Sequence, residues 1–325
     1  MIPPKLKVGD EIRIIAPSRS ISILSKELIQ EATTKLEDLG LKVTFAKHVK
    51  KSDDFDSSSI KSRINDLHEA FKDKNVKAIL TVIGGFNSNQ LLSNIDYQLI
   101  KENPKIFCGY SDITALTNAI YHKTKLVTYS GPHFSSFGMK KGFEFTIKYF
   151  QKCFMQNAKI QLIPSKTWSD DAWYSNQKER KFIKNKGYWL INQGKAKGKI
   201  IGGNQCTLNL LQGTKFMPDL KNKILFIEDD YEAHVKTFDR DLQSLLHLPN
   251  AKYLRGIVIG RFQKQTQMTK DLLTKIIKTK VELNKIPVIA NVDFGHTNPR
   301  ITFPIGGECE IIASKKEIKT TLTKH

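Results

Sequence analysis

Apolar residues along the chain come in short runs separated by amphipathic stretches, an alternation that predicts strands joined through crossover helices. Glu11-Ile12-Arg13-Ile14-Ile15-Ala16-Pro17 reads as a buried strand ended by proline, and the polar Ser18-Arg19-Ser20 leads into a helix over 25–39. A second strand over 42–46 precedes a helix over 58–73, where Ile60, Ile64, Leu67 and Phe71 fall on one stripe. Residues 76–83 are apolar almost without interruption, the pattern of a parallel strand covered on both faces. Gly84-Gly85-Phe86-Asn87-Ser88-Asn89 then turns the chain into a helix through Gln90, Leu91 and Leu92. Residues 105–108 form the next strand and 113–122 the helix after it. Successive βα units of this kind predict an α/β fold with a doubly wound parallel sheet.

From about 147 to 198 the pattern degrades into a polar, aromatic-rich stretch that includes Thr167-Trp168-Ser169-Asp170-Asp171-Ala172-Trp173-Tyr174. Strand patterns return at 224–227, 256–260 and 287–290, with a helix over 239–246. The expected division is therefore 1–150, a connection over 151–197, and a second α/β domain over 198–325.

Composition narrows the function classes. Lysine and arginine number 52 against 32 acidic residues, a net charge of +20 that raises the question of nucleic acid. The lysines are scattered among acidic residues, aromatics do not interleave with basic runs, and no helix-turn-helix, zinc-finger or ribonucleoprotein motif is present, so nucleic acid is not an expected partner. The charge reads as a solvated surface that also draws in a small anionic substrate. No run approaches a membrane span, and Met1-Ile2-Pro3-Pro4-Lys5 lacks the apolar core of a secretory signal; the expectation is a cytoplasmic protein with no membrane partner. Cys108, Cys153, Cys206 and Cys309 are widely spaced, which indicates neither a metal cage nor a disulfide framework, and no cofactor is expected.

The chemistry concentrates at strand ends. Gly109-Tyr110-Ser111-Asp112 puts a serine on a sharp turn between a strand and a helix, where a hydroxyl can act as a nucleophile. The plain alternative is a serine capping an ordinary helix. Serine attack needs a base, and His296, after Gly295 at a strand exit, is the best placed. Glu228 is the best acid to orient it, with Asp229, Asp230 and Asp293 as rivals at the same sheet edge. Backbone amides of Gly85 and Asp112, on the two turns flanking Ser111, are natural oxyanion donors.

Gly84-Gly85, Gly109-Tyr110-Ser111-Asp112-Ile113-Thr114, Ile201-Gly202-Gly203-Asn204, Leu225-Phe226-Ile227-Glu228-Asp229 and Asp293-Phe294-Gly295-His296 together resemble the LD-carboxypeptidase family of serine peptidases. The Trp168 to Trp173 segment and the stretch from Asn204 to Thr214 look most like the branch that includes microcin C self-immunity proteins. The resemblance implies a Ser111, Glu228, His296 triad, the Gly85 and Asp112 amides as oxyanion hole, no metal, and a homodimer. It also implies a flavodoxin-like or glutaminase-like amino-terminal sheet and a smaller, swivelling carboxyl-terminal α/β domain.

The implied chemistry is hydrolysis of an amide beside a carboxylate, in either an aminoacyl-nucleotide or a murein tetrapeptide. Trp168 or Trp173 is expected to stack on a base, Asn204 to orient the substrate backbone, and Arg261 to receive a carboxylate or phosphate. Glu232 stands where particular immunity proteins carry a substrate-contacting lysine. Three other accounts compete. An α/β-hydrolase would need a second glycine where Ile113 stands, Cys108 can be set as the nucleophile in place of Ser111, and a non-enzymatic protein can clamp an anion between two lobes.

Overall fold

The computed structural model describes residues 1–325 as two sheets flanked by helices. The amino-terminal half supplies β1 (Glu11–Ile15), α1 (Lys26–Asp38), β2 (Lys42–Phe45), α2 (Ile60–Lys72), β3 (Val76–Thr81), α3 (Tyr97–Glu102), β4 (Ile106–Gly109), α4 (Thr114–Thr124), β5 (Thr128–Ser130) and α5 (Glu144–Met155). Serine or aspartate caps three of these helices: Ser25, Ser59 and Asp96 each accept from a backbone amide in the first turn of α1, α2 and α3.

The second half begins with β6 (Ile160–Leu162), then the short pair β7 (Thr167–Trp168) and β8 (Ile183–Lys184) inside the aromatic loop. There follow β9 (Trp189–Asn192), β10 (Gly194–Asn204), α6 (Gln205–Asn209), β11 (Lys223–Glu228), α7 (Val235–Leu246), β12 (Gly256–Gly260), α8 (Lys270–Lys278) and β13 (Val288–Val292). The chain closes with β14 (Phe303–Ile305), β15 (Glu308–Ala313) and β16 (Ile318–Lys324).

The first sheet runs β14-β5-β4-β3-β1-β2, parallel except for β14. The second runs β6-β16-β15-β10-β11-β12-β13-β9, with β10 to β13 parallel in its centre. The mixed α/β architecture with a parallel amino-terminal sheet and a second sheet domain is the one the apolar runs predict. No helix is long and apolar enough to cross a membrane.

Several elements differ from expectation. The helix expected at Gln90 to Leu92 is a single 3-10 turn, Ser88–Leu91, because the chain turns again at once. Residues 144–155, expected to lose their pattern from 147, form α5, which buries Thr146, Tyr149, Phe150, Cys153 and Phe154 on one face.

The two sheets meet along the helix that follows Ser111. Asn118 on α4 donates to the Gly202 carbonyl at 2.7 Å and accepts from the Gly202 amide at 3.0 Å, while Thr114 accepts from the Asn204 amide at 3.0 Å. Gly202 and Gly203 take φ of 126° and 129°, and a side chain on Gly203 would run into Thr114. The Gly202-Gly203-Asn204 motif is thus a seam that lets β10 touch the serine's helix.

Candidate active site

β3 and β4 are adjacent and parallel, so Gly84-Gly85 and Ser111 leave the same edge side by side. Ser111 sits at φ 58°, left-handed backbone that a non-glycine residue rarely adopts, and the tight 3-10 turn Ser111–Ile113 continues into α4. Hydrogen bonds hold that turn on its far side. Ser18 donates to the Asp112 carboxylate at 2.6 Å, the Ser88 amide donates to it at 2.9 Å, and the Ser88 hydroxyl donates to the Asp112 carbonyl at 2.7 Å. These interactions offset the local strain and leave the serine hydroxyl facing the second sheet.

From that sheet, β11 ends at Glu228 in register with Asn204, and β13 leads through Asp293 to His296. His296 donates from Nδ1 to Glu228 Oε2 at 2.8 Å, because a carboxylate can only accept. Nε2 is then left to accept from the Ser111 hydroxyl at 3.0 Å. Gly295 makes this approach possible at φ 101°, since a side-chain carbon there would stand 2.6 Å from Glu228 Oε2.

Electrostatics follow from the same contacts. Burial alone would lower the His296 pKa, but the charge and hydrogen bond of Glu228, helped by Asp230 and opposed by Arg300, raise it above 6.5. Asp229 is pushed up to about 8 by burial and by the charges of Glu228 and Asp230, so it is largely protonated at neutral pH.

The four acidic candidates separate cleanly. Only Glu228 reaches Nδ1. Asp229 accepts from Asn204 Nδ2 at 3.2 Å, and Asp230 stands 3.9 Å from His296 Nε2. Asp293 is buried and accepts from Arg261 at 2.7 Å and from the Ser165 hydroxyl at 2.6 Å. The Arg261 fork, expected to face a ligand, is instead 2 % exposed and bonded to Asp293 and Asn291, because two buried groups of opposite charge lie together at adjacent strand exits.

The remaining expected residues are placed as follows. The Gly85 amide has no acceptor within the protein, and the Asp112 amide directly follows Ser111. Asn204 is buried and caps α6, its Oδ1 accepting from the Thr207 amide and hydroxyl at 2.9 Å each. Trp168 lies against cations, with the Arg261 guanidinium 5.2 Å and the Lys264 ammonium 5.8 Å from its ring centre. Trp173 is half-buried against the core. Ser169 and Asn298 exchange backbone hydrogen bonds at 2.7 Å, which fastens the Trp168 loop to the histidine segment. No group of three His, Cys, Asp or Glu converges to hold a metal. Cys108 is 1 % exposed behind the turn, and burial pushes its thiol pKa well above 9. It has neither the access nor the ionisation of a nucleophile.

Sequence reasoning missed a buried column behind the serine. Arg300 lies with its guanidinium 4.0 Å from the Tyr110 ring centre, and Tyr110 stacks on His133 at 4.2 Å and meets His296 at 5.4 Å. His133 Nδ1 and the Thr81 hydroxyl share a hydrogen bond at 2.8 Å, and burial, followed by the charges of Arg300, His296 and Arg19, holds the imidazole neutral. A tyrosine immediately before the serine was the one available signal.

Models of the LD-carboxypeptidase N-terminal domain and C-terminal domain match residues 12–131 and 197–311 respectively. YocD of Bacillus subtilis is 55 % identical over 325 residues, covering 100 % of both chains. Microcin C7 self-immunity protein MccF of Escherichia coli is 32 % identical, with 99 % of this chain and 96 % of that one aligned. The murein tetrapeptide carboxypeptidase of Pseudomonas aeruginosa is 22 % identical over 92 % of each. Among solved structures, an MccF-like protein from Bacillus anthracis superposes with a TM-score of 0.99 at 58 % identity over 100 % of both chains. MccF in complex with aspartyl sulfamoyl adenosine superposes with a TM-score of 0.89 at 30 % identity, over 100 % of this chain and 99 % of that one.

Proposed function

The chain belongs to the LD-carboxypeptidase family, and on that premise we propose that it is a serine hydrolase acting on an aminoacyl-nucleotide. The observation that carries the reading is the hydrogen-bonded line from Glu228 through His296 to Ser111, with the serine on a positive-φ turn at a strand exit. The relative bound to aspartyl sulfamoyl adenosine supports the substrate class.

In this mechanism Ser111 attacks the carbonyl carbon while His296 Nε2 takes the hydroxyl proton. The oxyanion of the tetrahedral intermediate accepts hydrogen bonds from the Gly85 and Asp112 amides. His296 returns the proton to the leaving nitrogen, the C–N bond breaks, and an acyl-enzyme remains. Water, deprotonated by the same imidazole, then releases the carboxylic acid and restores the serine. Glu228 stabilises the imidazolium at each stage. Trp168 and Trp173 offer stacking surfaces for a base and Asn204 a polar contact for the acyl portion, in a cytoplasmic homodimer.

A paired hydrolysis assay tests the proposal, using a murein tetrapeptide and a water-stable aspartyl-adenosine amide. Cleavage of the nucleotide conjugate is the expected result. Release of D-alanine alone would favour the murein reading, and turnover of neither, together with no fluorophosphonate labelling of Ser111, would favour an anion-binding protein.

The pH profile has a defined sign. His296 must be neutral to accept the serine proton, and its pKa is raised above 6.5. The rate of fluorophosphonate acylation is therefore expected to fall as pH drops through a midpoint above 6.5. A midpoint well below that value would contradict the Glu228 contact.

A further inference from the structure

Four arginines stand at or behind the strand exits that frame Ser111, and three of them are occupied. Arg63 donates to the Pro17 carbonyl, to Asn87 and to Gln90. Arg261 is bonded to Asp293 and Asn291. Arg300 is buried against Tyr110 and donates to Ser136, Thr297 and Asn298. Arg19 differs from all three. Its Nε is buried without a partner, and its guanidinium makes no hydrogen bond or ion pair within the protein.

The position of Arg19 is fixed by its backbone. It follows β1, and β1, β3 and β4 are consecutive in the sheet, so Arg19, Gly85 and Ser111 leave three neighbouring strands at one edge. Strands lie about 4.8 Å apart, which puts the Arg19 backbone roughly 10 Å from the serine's, within reach of an extended arginine and a short ligand. The Arg19 amide donates to the Gly84 carbonyl at 3.4 Å, and Ser18 beside it donates to Asp112. The side chain runs along Gly85, where a β-carbon would come within 2.9 Å of Arg19 Cγ. The same loop therefore braces both turns that carry the proposed oxyanion amides and presents a free cation next to them.

A cavity of about 520 Å³ opens beside it, lined by Arg19, Arg63, Phe55, Phe86 and Asn87 together with three aspartates. None of these aspartates forms an ion pair with Arg19. Asp53 accepts from the Phe55 and Ser57 amides instead, at 3.0 Å each. The buried Arg19 Nε carries the cost of an unmade hydrogen bond, which a ligand accepting from it would remove.

We infer that Arg19 is the receptor for the anionic group that flanks the scissile amide. The inference rests on the hydrolase reading above and replaces the expected role of Arg261. Two sources share this chemistry, the terminal carboxylate of a peptide and the phosphoryl group of a nucleotide, and either suits the planar fork of arginine.

The test compares wild type, Arg19→Gln and Arg19→Lys on two matched pairs. One pair is a murein tetrapeptide and its C-terminal carboxamide; the other is an aspartyl-adenosine phosphoramidate and an uncharged carbonyl-linked counterpart. Arg19→Gln is expected to raise KM for the charged member of one pair by roughly 10- to 100-fold and leave the neutral member unchanged, with Arg19→Lys intermediate. The pair that responds identifies the source. Because the guanidinium holds nothing else in place, thermal unfolding midpoints should match wild type. Wild-type hydrolysis with equal effects on charged and neutral members would overturn the inference alone. No hydrolysis by wild type and no labelling of Ser111 would overturn the hydrolase reading and the inference with it.

Discussion

Replacing Ser111 with alanine is expected to reduce turnover by roughly 10³- to 10⁶-fold while leaving the fold and ligand affinity nearly unchanged. The size follows from the line of contacts. His296 Nε2 has its hydrogen bond to the Ser111 hydroxyl at 3.0 Å, and Cys108 behind the turn is too buried to substitute. Residual catalysis would come from the oxyanion amides and substrate positioning alone. The left-handed φ of Ser111 is no harder for alanine than for serine, so the turn should persist. Turnover measured beside calorimetric titration with aspartyl sulfamoyl adenosine checks both halves. A variant that keeps more than a tenth of wild-type activity would remove Ser111 from the mechanism.

For Glu228→Gln a loss of roughly 10³- to 10⁴-fold is expected, with a signature that simple misfolding would not give. A glutamine amide can donate to Nδ1, which places the imidazole proton on Nε2 and turns a donor towards the serine. The charge that raises the His296 pKa disappears as well. The acid limb of the remaining activity should therefore move to lower pH. Asp229, relieved of its charged neighbour, should titrate below its value of about 8. Near-normal rates would remove Glu228 from the acid role and shift it to Asp229 or Asp293.

Much of this arrangement was legible because strand exits announce themselves. An apolar run that stops at glycine or a polar residue locates the sheet edge, and Ser111, Glu228 and His296 all follow such runs. What could not be read was side-chain direction. Glu228, Asp229, Asp230 and Asp293 all leave one edge, and only the pairing of β10 with β11 and the turn at Gly295 bring Glu228 to the histidine. Arg261 misled for the same reason, since its partner Asp293 is 32 residues away in sequence and adjacent only in the folded sheet. Helix α5 was hidden by its aromatic-rich burial face.

The path of the chain after His296 bears on how the molecule holds together. Leaving the second sheet, it passes Arg300, adds β14 antiparallel to β5 at the edge of the first sheet, and returns as β15. The second half thus lends a strand to the first half's sheet, and 83 buried apolar residues form one continuous cluster. Removing the second half would strip β5 of one of its two neighbours and expose an unpaired edge. The nucleophile's sheet cannot loosen without drawing on the strand anchored close behind the histidine. The halves are accordingly expected to unfold as one cooperative unit, with β14 tying the histidine's segment to the serine's sheet.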